Sequence, residues 1–417
     1  MIFLRRKEIN QSTSLSQLTW KRFRRNRLAM AGLLFILLSC MVSVLGYLIT
    51  PDQTPYANNQ KPELHIRPPG SAHRFLKVKR NQKTEAPNVF KKMLFGASPE
   101  FDLYSFQSFR FSGENILIAE YTGGIADSTN MAGFNMADVV FSLDNSLPVT
   151  YDSVRQNLSF YELNNSSPKT VAAALLREQI TKEHLVQRTF VLGTDLLGRD
   201  MLSRLLIGTR ISLGVGLISV LISISIGISL GAAAGFFGGR TDAIIMWLIN
   251  VVWSIPTLLL VIAITLVLGK GVTQVFIAVG LTMWVDVARI VRGQVLGIRE
   301  KEFIEAGRAL GYSNKRVIFR HIMPNIMGPV VVIAASNFAS AILMEAGLSF
   351  LGIGAQPPVP SWGEMINAHR GYILMDKAYL AFIPGAAIML LVLAFMLVGN
   401  GLRDALDTRS VDARTLV

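Results

Sequence analysis

Five stretches of the chain run for more than twenty residues without a charged side chain: 28–49, 211–239, 243–269, 322–344 and 378–402. A helix crossing the hydrocarbon core needs about 20 mostly apolar residues, so each stretch predicts a span. A sixth, 271–285, is shorter and becomes a span if its helix runs on with Asp286 and Arg289 near the interface. Between the first two spans the pattern changes to turns and short runs. Residues 105–111, 115–121 and 137–143 are β-branched and aromatic, bounded by Gly, Asn and Asp, and predict strands. Val171, Leu175, Leu176, Ile180 and Leu185 fall near helical spacing and predict a helix over 168–188. The expected fold is an all-α polytopic membrane protein of six transmembrane helices. An α+β or mostly β insert, 50–190, is expected between helices 1 and 2.

Charge placement adds orientation. Only 17% of residues are charged, against about 25% in soluble domains. Of the 69 charged residues, 34 lie in 50–210 and 20 in the much longer apolar block 211–402. Positively charged flanks mark the cytoplasmic side. Arg5, Arg6, Lys7, Lys21, Arg22, Arg24, Arg25 and Arg27 put the arm 1–27 inside. Six spans return the tail 403–417, with Arg403, Arg409 and Arg414, to the same side. The turn after span four (Arg289, Arg292, Arg299, Lys301, Arg308, Lys315, Arg316, Arg320) also belongs inside, and the insert outside. The net charge of +13 is thus a topology signal and no argument for nucleic acid; membrane lipid is the expected surroundings. Within the insert, 65–95 is basic, which reads as a solvated face or as a surface for acidic headgroups or an acidic partner. Cys40 is the only cysteine, so no internal disulfide forms. Leu37-Leu38-Ser39-Cys40 resembles a lipoprotein signal, but the apolar run continues through 41–49 and an uncleaved anchor is expected.

Candidate chemistry is sparse. His65, His73, His184, His321 and His369 show no metal-ligand spacing. The Gly-x-Ser-x-Gly pattern falls only at Gly227-Ile228-Ser229-Leu230-Gly231, inside an uncharged stretch that predicts a span and so not as a nucleophile turn, and no phosphate-binding Gly-x4-Gly-Lys-Ser/Thr loop occurs. No catalytic residue, cofactor site or metal site is expected in this chain. Asp286 and Glu345 are the ionisable candidates within the spans, both expected near span ends, with Asp286 and Arg289 spaced to pair on one helix face. Gly227, Gly231 and Gly235 recur every fourth residue and would admit a close helix neighbour. The polar segment 299–325 is the most distinctive. It predicts a short surface helix over 300–310 stopped by Gly311, a second helical stretch over 314–321, and Pro324 in the first turn of span five. Such a helix would offer Phe303, Ile304, Ala306 and Gly307 to a partner.

These residues resemble a known family. Glu305-Ala306-Gly307-x3-Gly311 with Met323-Pro324 resembles the EAA loop of ABC-importer permeases, with Gly307 at the second alanine and Met323 at the usual leucine. Leu192-Gly193-Thr194-Asp195-x2-Gly198-Arg199-Asp200, Ser203-Arg204 and Gly235-Phe236-Phe237-Gly238-Gly239 are similar to the dipeptide/oligopeptide/nickel type. So are Ala288-Arg289-x2-Arg292-Gly293-Gln294, Glu302-x2-Glu305, Glu345 to Gly352, Ser361-Trp362-Gly363 and Gly401 to Asp407. The resemblance covers nearly all of 190–410, and the N-terminal arm and first span resemble the second permease subunit of such systems.

The resemblance implies a bacterial inner-membrane permease that moves di- or oligopeptides by alternating access. It implies a heterodimer with a homologous permease, two cytoplasmic ATPase subunits that bind ATP and Mg, and an extracytoplasmic solute-binding protein. Glu302, Glu305, Ala306, Gly307, Arg308, Gly311 and Pro324 would couple the ATPases to the spans. Gly193, Thr194, Asp195, Gly198, Arg199 and Asp200 would form a structural elbow at the head of the transport domain 191–402. Nickel chelates or another small solute are alternative cargoes. A membrane-anchored sensor or assembly protein acting through 50–190 is the alternative from another class.

Overall fold

The computed structural model describes residues 15–82, 88–123, 131–163, 165 and 167–406. Arg5, Arg6, Lys7, Lys83, Glu85, Asp407, Arg409 and Arg414 lie outside the described residues. The chain divides into two compact units. One comprises Met1–Met41, Thr209–Pro357 and Ser361–Val417, the other Val42–Gly208 and Pro358–Pro360.

The chain opens with α1 (Leu15–Arg25) and the apolar α2 (Arg27–Ile49). Asn26 caps α2, its Oδ1 accepting from the Ala29 N–H at 3.1 Å. The second unit follows: β1 (Ser71–Lys79), α3 (Val89–Phe95), β2 (Phe101–Ser112), β3 (Asn115–Glu120), β4 (Met131–Asn135), α4 (Met136–Val140), β5 (Thr150–Asp152), β6 (Asn157–Phe160), β7 (Lys169–Ala172), α5 (Ala173–Gln179) and β8 (Leu185–Phe190). Two antiparallel sheets form, β4-β3-β2-β1-β8 and β5-β6-β7. Leu76, Val78, Ile116 and Ile118 on one face of the larger sheet close over Met136, Val139, Leu176 and Ile180. The insert is therefore α+β.

Two expectations within it are corrected. The predicted strand at 137–143 is a helix from Met136 to Val140, started by the Asn135 side chain accepting from the Ala137 N–H at 3.0 Å. Four of its five residues are buried; such a short apolar run fits a buried turn of helix as well as a strand. The predicted helix over 168–188 survives only as α5 and a π-helical turn, Ile180–His184, between β7 and β8. β8 is extended because it completes the sheet on β1, Val186 opposite Phe75, and cross-strand packing outweighs local helical spacing.

The remaining helices are α6 (Met201–Phe237), α7 (Gly239–Trp253), α8 (Thr257–Leu268), α9 (Val272–Arg299), α10 (Glu302–Ala309), α11 (Asn314–Arg316), α12 (Met323–Phe350), α13 (Trp362–His369) and α14 (Tyr379–Leu406). Among the described residues, five helices are long and apolar enough to cross a membrane, and the bent pair α7 and α8 makes a sixth if it is one span. The unbroken span expected over 243–269 is thus corrected: it bends by 89°. Pro256 has no N–H to donate and disfavours helical backbone at the residue before it, so α7 stops and α8 restarts beyond it. α9 also departs from expectation. It runs on through Asp286 and Arg289, which stand near the middle of a 28-residue helix. Nor do the two pair: the Arg289 guanidinium lies 3.9 Å from the centre of the Trp253 ring.

The four-residue glycine spacing in α6 has a visible partner. A Cβ on Gly227 would stand 2.5 Å from Val287 Cβ, one on Gly235 2.8 Å from Val295 Cβ, and one on Gly231 would strike the Ala288 carbonyl. Small residues let α9 lie directly on α6, and in lipid that close packing replaces the hydrophobic drive available in water.

Candidate functional site

Residues 299–325 begin where α9 ends. α10 carries Glu302 and Glu305 in its first turn, where carboxylates complement the helix dipole. It stops in a Schellman turn: the Gly311 N–H donates to the Arg308 carbonyl at 2.9 Å and the Tyr312 N–H to the Gly307 carbonyl at 3.0 Å. Gly311 sits at φ +74°, where a side chain would be strained. Tyr312 folds back so that a Cβ on Gly307 would meet its ring at 3.2 Å. Of the four residues expected to face a partner, Phe303 and Ala306 are exposed; Ile304 and Gly307 are buried. Helical periodicity separates them, and Ile304 joins Val295, Val317, Ile322 and Phe236 in one apolar cluster.

The 314–321 stretch is not a separate surface helix. α11, a π-helical turn Val317–Ile322 and α12 form one continuous apolar helix, Asn314–Phe350. The Met323 N–H reaches the Ile318 carbonyl, five residues back. That widened turn immediately precedes Pro324, whose ring would otherwise press on the carbonyl four residues earlier. The Asn325 Nδ2 donates to the His321 carbonyl at 2.6 Å.

Two arginines tie this segment to the C-terminal end of α6, and a third, in α9, grips α7 just beyond it. Arg299 Nη1 donates to the Gly235 and Phe236 carbonyls at 3.2 and 3.3 Å, a cation on the open carbonyls of a helix C-terminus. Arg308 lies 5.2 Å from the centre of the Phe236 ring. Arg292 grips Asp242, in the first turn of α7, through two bonds of 2.5 and 2.6 Å. Sequence reading placed these arginines on the cytoplasmic side but missed their partners. The run Gly235 to Gly239 was the available signal.

The six elbow residues gather in one buried turn ahead of α6. Asp195 Oδ1 accepts from the Leu197 and Arg199 N–H groups, both at 2.9 Å. Its Oδ2 accepts from Arg199 Nε at 2.7 Å and lies 3.6 Å from Arg204 Nε. Thr194 Oγ1 donates to the Leu64 carbonyl and accepts from the Arg67 N–H. Gly198, at φ +70°, brings its backbone so near the Lys61 carbonyl that no Cβ fits, and a Cβ on Gly193 would likewise strike the Arg67 carbonyl. Asp200 caps α6, accepting from the Ser203 N–H at 2.8 Å and from Ser203 Oγ. Burial pushes the Asp200 carboxyl above its ordinary range, opposed by the Ser203 bonds. Among the described residues no three His, Cys, Asp or Glu side chains gather closely enough to hold a metal ion.

Residues 227–411 match the family described as binding-protein-dependent transport system inner membrane component. Residues 14–62 match the N-terminal TM domain of oligopeptide transport permease C. Over 206 residues, 49% of this chain, the sequence is 44% identical to the glutathione transport system permease protein GsiD of Pectobacterium atrosepticum, covering 68% of it. Over the same length it is 42% identical to the dipeptide transport system permease protein DppC of Alkalihalophilus pseudofirmus, covering 67% of that protein. It is also 42% identical to the oligopeptide transport system permease protein OppC of Bacillus subtilis, again covering 67%. The chain belongs to the peptide-type permeases of ABC importers, multi-pass membrane subunits that transport and are not themselves enzymes.

Proposed function

We propose that this chain forms half of the translocation pathway of an ATP-driven bacterial inner-membrane importer of di- and oligopeptides. Its partners are a homologous permease, two cytoplasmic ATPases that hold ATP and Mg, and an extracytoplasmic solute-binding protein. Both termini lie in the cytoplasm and the α+β insert lies outside. α10 is the coupling helix, and the turn Gly193 to Asp200 is a structural elbow.

The observation that carries this reading is the seating of α10. Its inner face, Ile304 and Gly307, is packed into the helix bundle, while Glu302, Phe303, Glu305 and Ala306 remain exposed. Arg299 and Arg308 fasten the same segment to the end of α6. A push on the exposed face therefore reaches α6, and through the glycine stripe α9, without passing through a flexible linker.

The test uses the complete complex in proteoliposomes. Glu305→Lys reverses charge on the exposed face without touching the buried one. The expected result is loss of ATPase co-purification, or retained binding with peptide uptake lowered more than tenfold. Unchanged uptake together with an ATPase that never co-purifies with the unmodified chain would sink the reading. That outcome would favour a sensor or assembly role for the insert.

A further inference from the structure

A small polar recess interrupts the apolar interior. Asp286 stands fifteenth of the 28 residues of α9, and Asn337 stands twenty-fourth of 37 in the continuous helix Asn314–Phe350. With Trp253 and Thr257, which flank the break between α7 and α8, and with Thr282 and Ser340, they line a cavity of about 120 Å³. Asn337 is 5% exposed, and its Nδ2 has no acceptor among the described residues. A buried donor left without an acceptor is costly, so it marks a place where something else completes the bond. Asp286 is exposed to this side and makes no ion pair or hydrogen bond among the described residues. Arg289, its nearest cation in sequence, stacks on Trp253 and is not part of the lining. Thr282 Oγ1 is occupied, donating to the Val279 carbonyl at 2.9 Å.

The recess therefore carries one uncompensated carboxylate. The carbonyl end of α7 and the amide end of α8 open at the same break, so their partial charges offset and Asp286 sets the charge of the recess. An ionisable side chain at mid-membrane depth is expensive and points to a solute pathway. Broken helices at that depth offer backbone groups to polar cargo. A proton relay would need a second titratable group beside Asp286, and none lines the cavity. What fits is a compact cation with hydrogen atoms to donate, next to an acceptor for the Asn337 amide.

We infer that this recess receives a cationic group of the passing solute, with Asp286 as a specificity-determining carboxylate and the Asn337 amide meeting an adjacent carbonyl. The favoured cargo class is then peptides bearing lysyl or arginyl side chains. This rests on the peptide-importer reading and adds a charge preference to it.

The experiment measures ATP-driven uptake of labelled Ala-Lys-Ala, Ala-Ala-Ala and Ala-Glu-Ala by proteoliposomes holding the complete complex and its binding protein. Any preference of the binding protein is common to all variants, so the change in uptake ratio isolates this chain. Asp286→Asn is expected to lower the Lys-to-Glu uptake ratio about tenfold, and Asp286→Glu to restore most of it. If Asp286→Asn does not assemble, Thr257→Lys, which sets a fixed ammonium at the recess, should lower the same ratio. A ratio that stays constant while all three peptides fall together, or that follows sodium concentration instead of peptide charge, overturns the inference alone. An unmodified complex that imports none of the three peptides overturns the importer reading and this inference with it.

Discussion

The two ends of α6 are held in opposite ways. Ahead of Met201, Asp195 is fully buried and serves two backbone N–H groups and two arginines, while Asp200 caps the helix. Around Phe237, half-buried Arg292 and Arg299 and exposed Arg308 grip the chain through two open carbonyls, one ring face and one carboxylate. A buried charge that loses its partner costs several kcal/mol, whereas a surface pair is worth about 1 kcal/mol or less. The first end is built to stay fixed. The second can re-seat cheaply.

The largest expected effect comes from breaking the fixed end. Asp195→Ala removes the carboxylate that Arg199 Nε bonds in a buried turn. A loss of about 3–5 kcal/mol follows from uncompensated buried charge, seen as a large drop in melting temperature and in membrane-inserted protein. Asp195→Asn, which keeps shape and loses charge, should fall between.

The close helix pair comes next. Gly231→Leu forces α9 away from α6, because the first added carbon already strikes the Ala288 carbonyl. Overpacking costs about 1–3 kcal/mol, and uptake should fall even where the protein survives purification. Gly227→Ala, meeting Val287 side-chain atoms instead of backbone, should be the milder of the two.

At the re-seating end the comparison predicts a split between stability and function. Arg308→Ala removes a cation–ring contact worth about 0.5–1 kcal/mol, so the melting temperature should move little. Peptide uptake per ATP hydrolysed should fall severalfold. Equal losses in melting temperature and coupling would show that this end is merely structural.

The smallest effect is a pH dependence in the insert. Burial lowers the affinity of His184 and His73 for a proton below that of an exposed imidazole, 6.5. His184 is the more enclosed, its Nδ1 2.7 Å from the Lys77 carbonyl. Both groups bind more protons unfolded than folded, so stability is complete above pH 6.5 and declines as pH falls below it. Melting curves at pH 7.5 and 5.5 should separate, and His184→Gln should narrow the gap.

Much of the coupling region could be read before the fold was known. A charged break in apolar sequence, a helix-length run and a glycine stop are local signals, and Glu302, Glu305, Gly311 and Phe303 took the expected positions. The inward turn of Ile304 and Gly307 follows from helical periodicity once the helix has a side to lie on. The grips of Arg299 on Gly235 and of Arg292 on Asp242 join residues 64 and 50 positions apart, and no local pattern encodes such a pair. In the insert, β8 reads as helical by spacing and becomes a strand because β1 leaves an edge to be completed.

By itself the sequence determined that the chain is a membrane protein, where its apolar helices run and which polar segment interrupts them. Those facts depend on hydrophobicity and on backbone hydrogen bonds that each helix satisfies within itself, as hydrocarbon demands. Only the tertiary structure decided that one expected span is broken at Pro256. It also decided that Asp286 stands at mid-helix with no ion-pair or hydrogen-bond partner among the described residues and that a polar turn of distant loops locks the head of α6. These outcomes depend on which surfaces meet, and a buried charge or an unpaired amide acquires its meaning only from the neighbours that folding supplies.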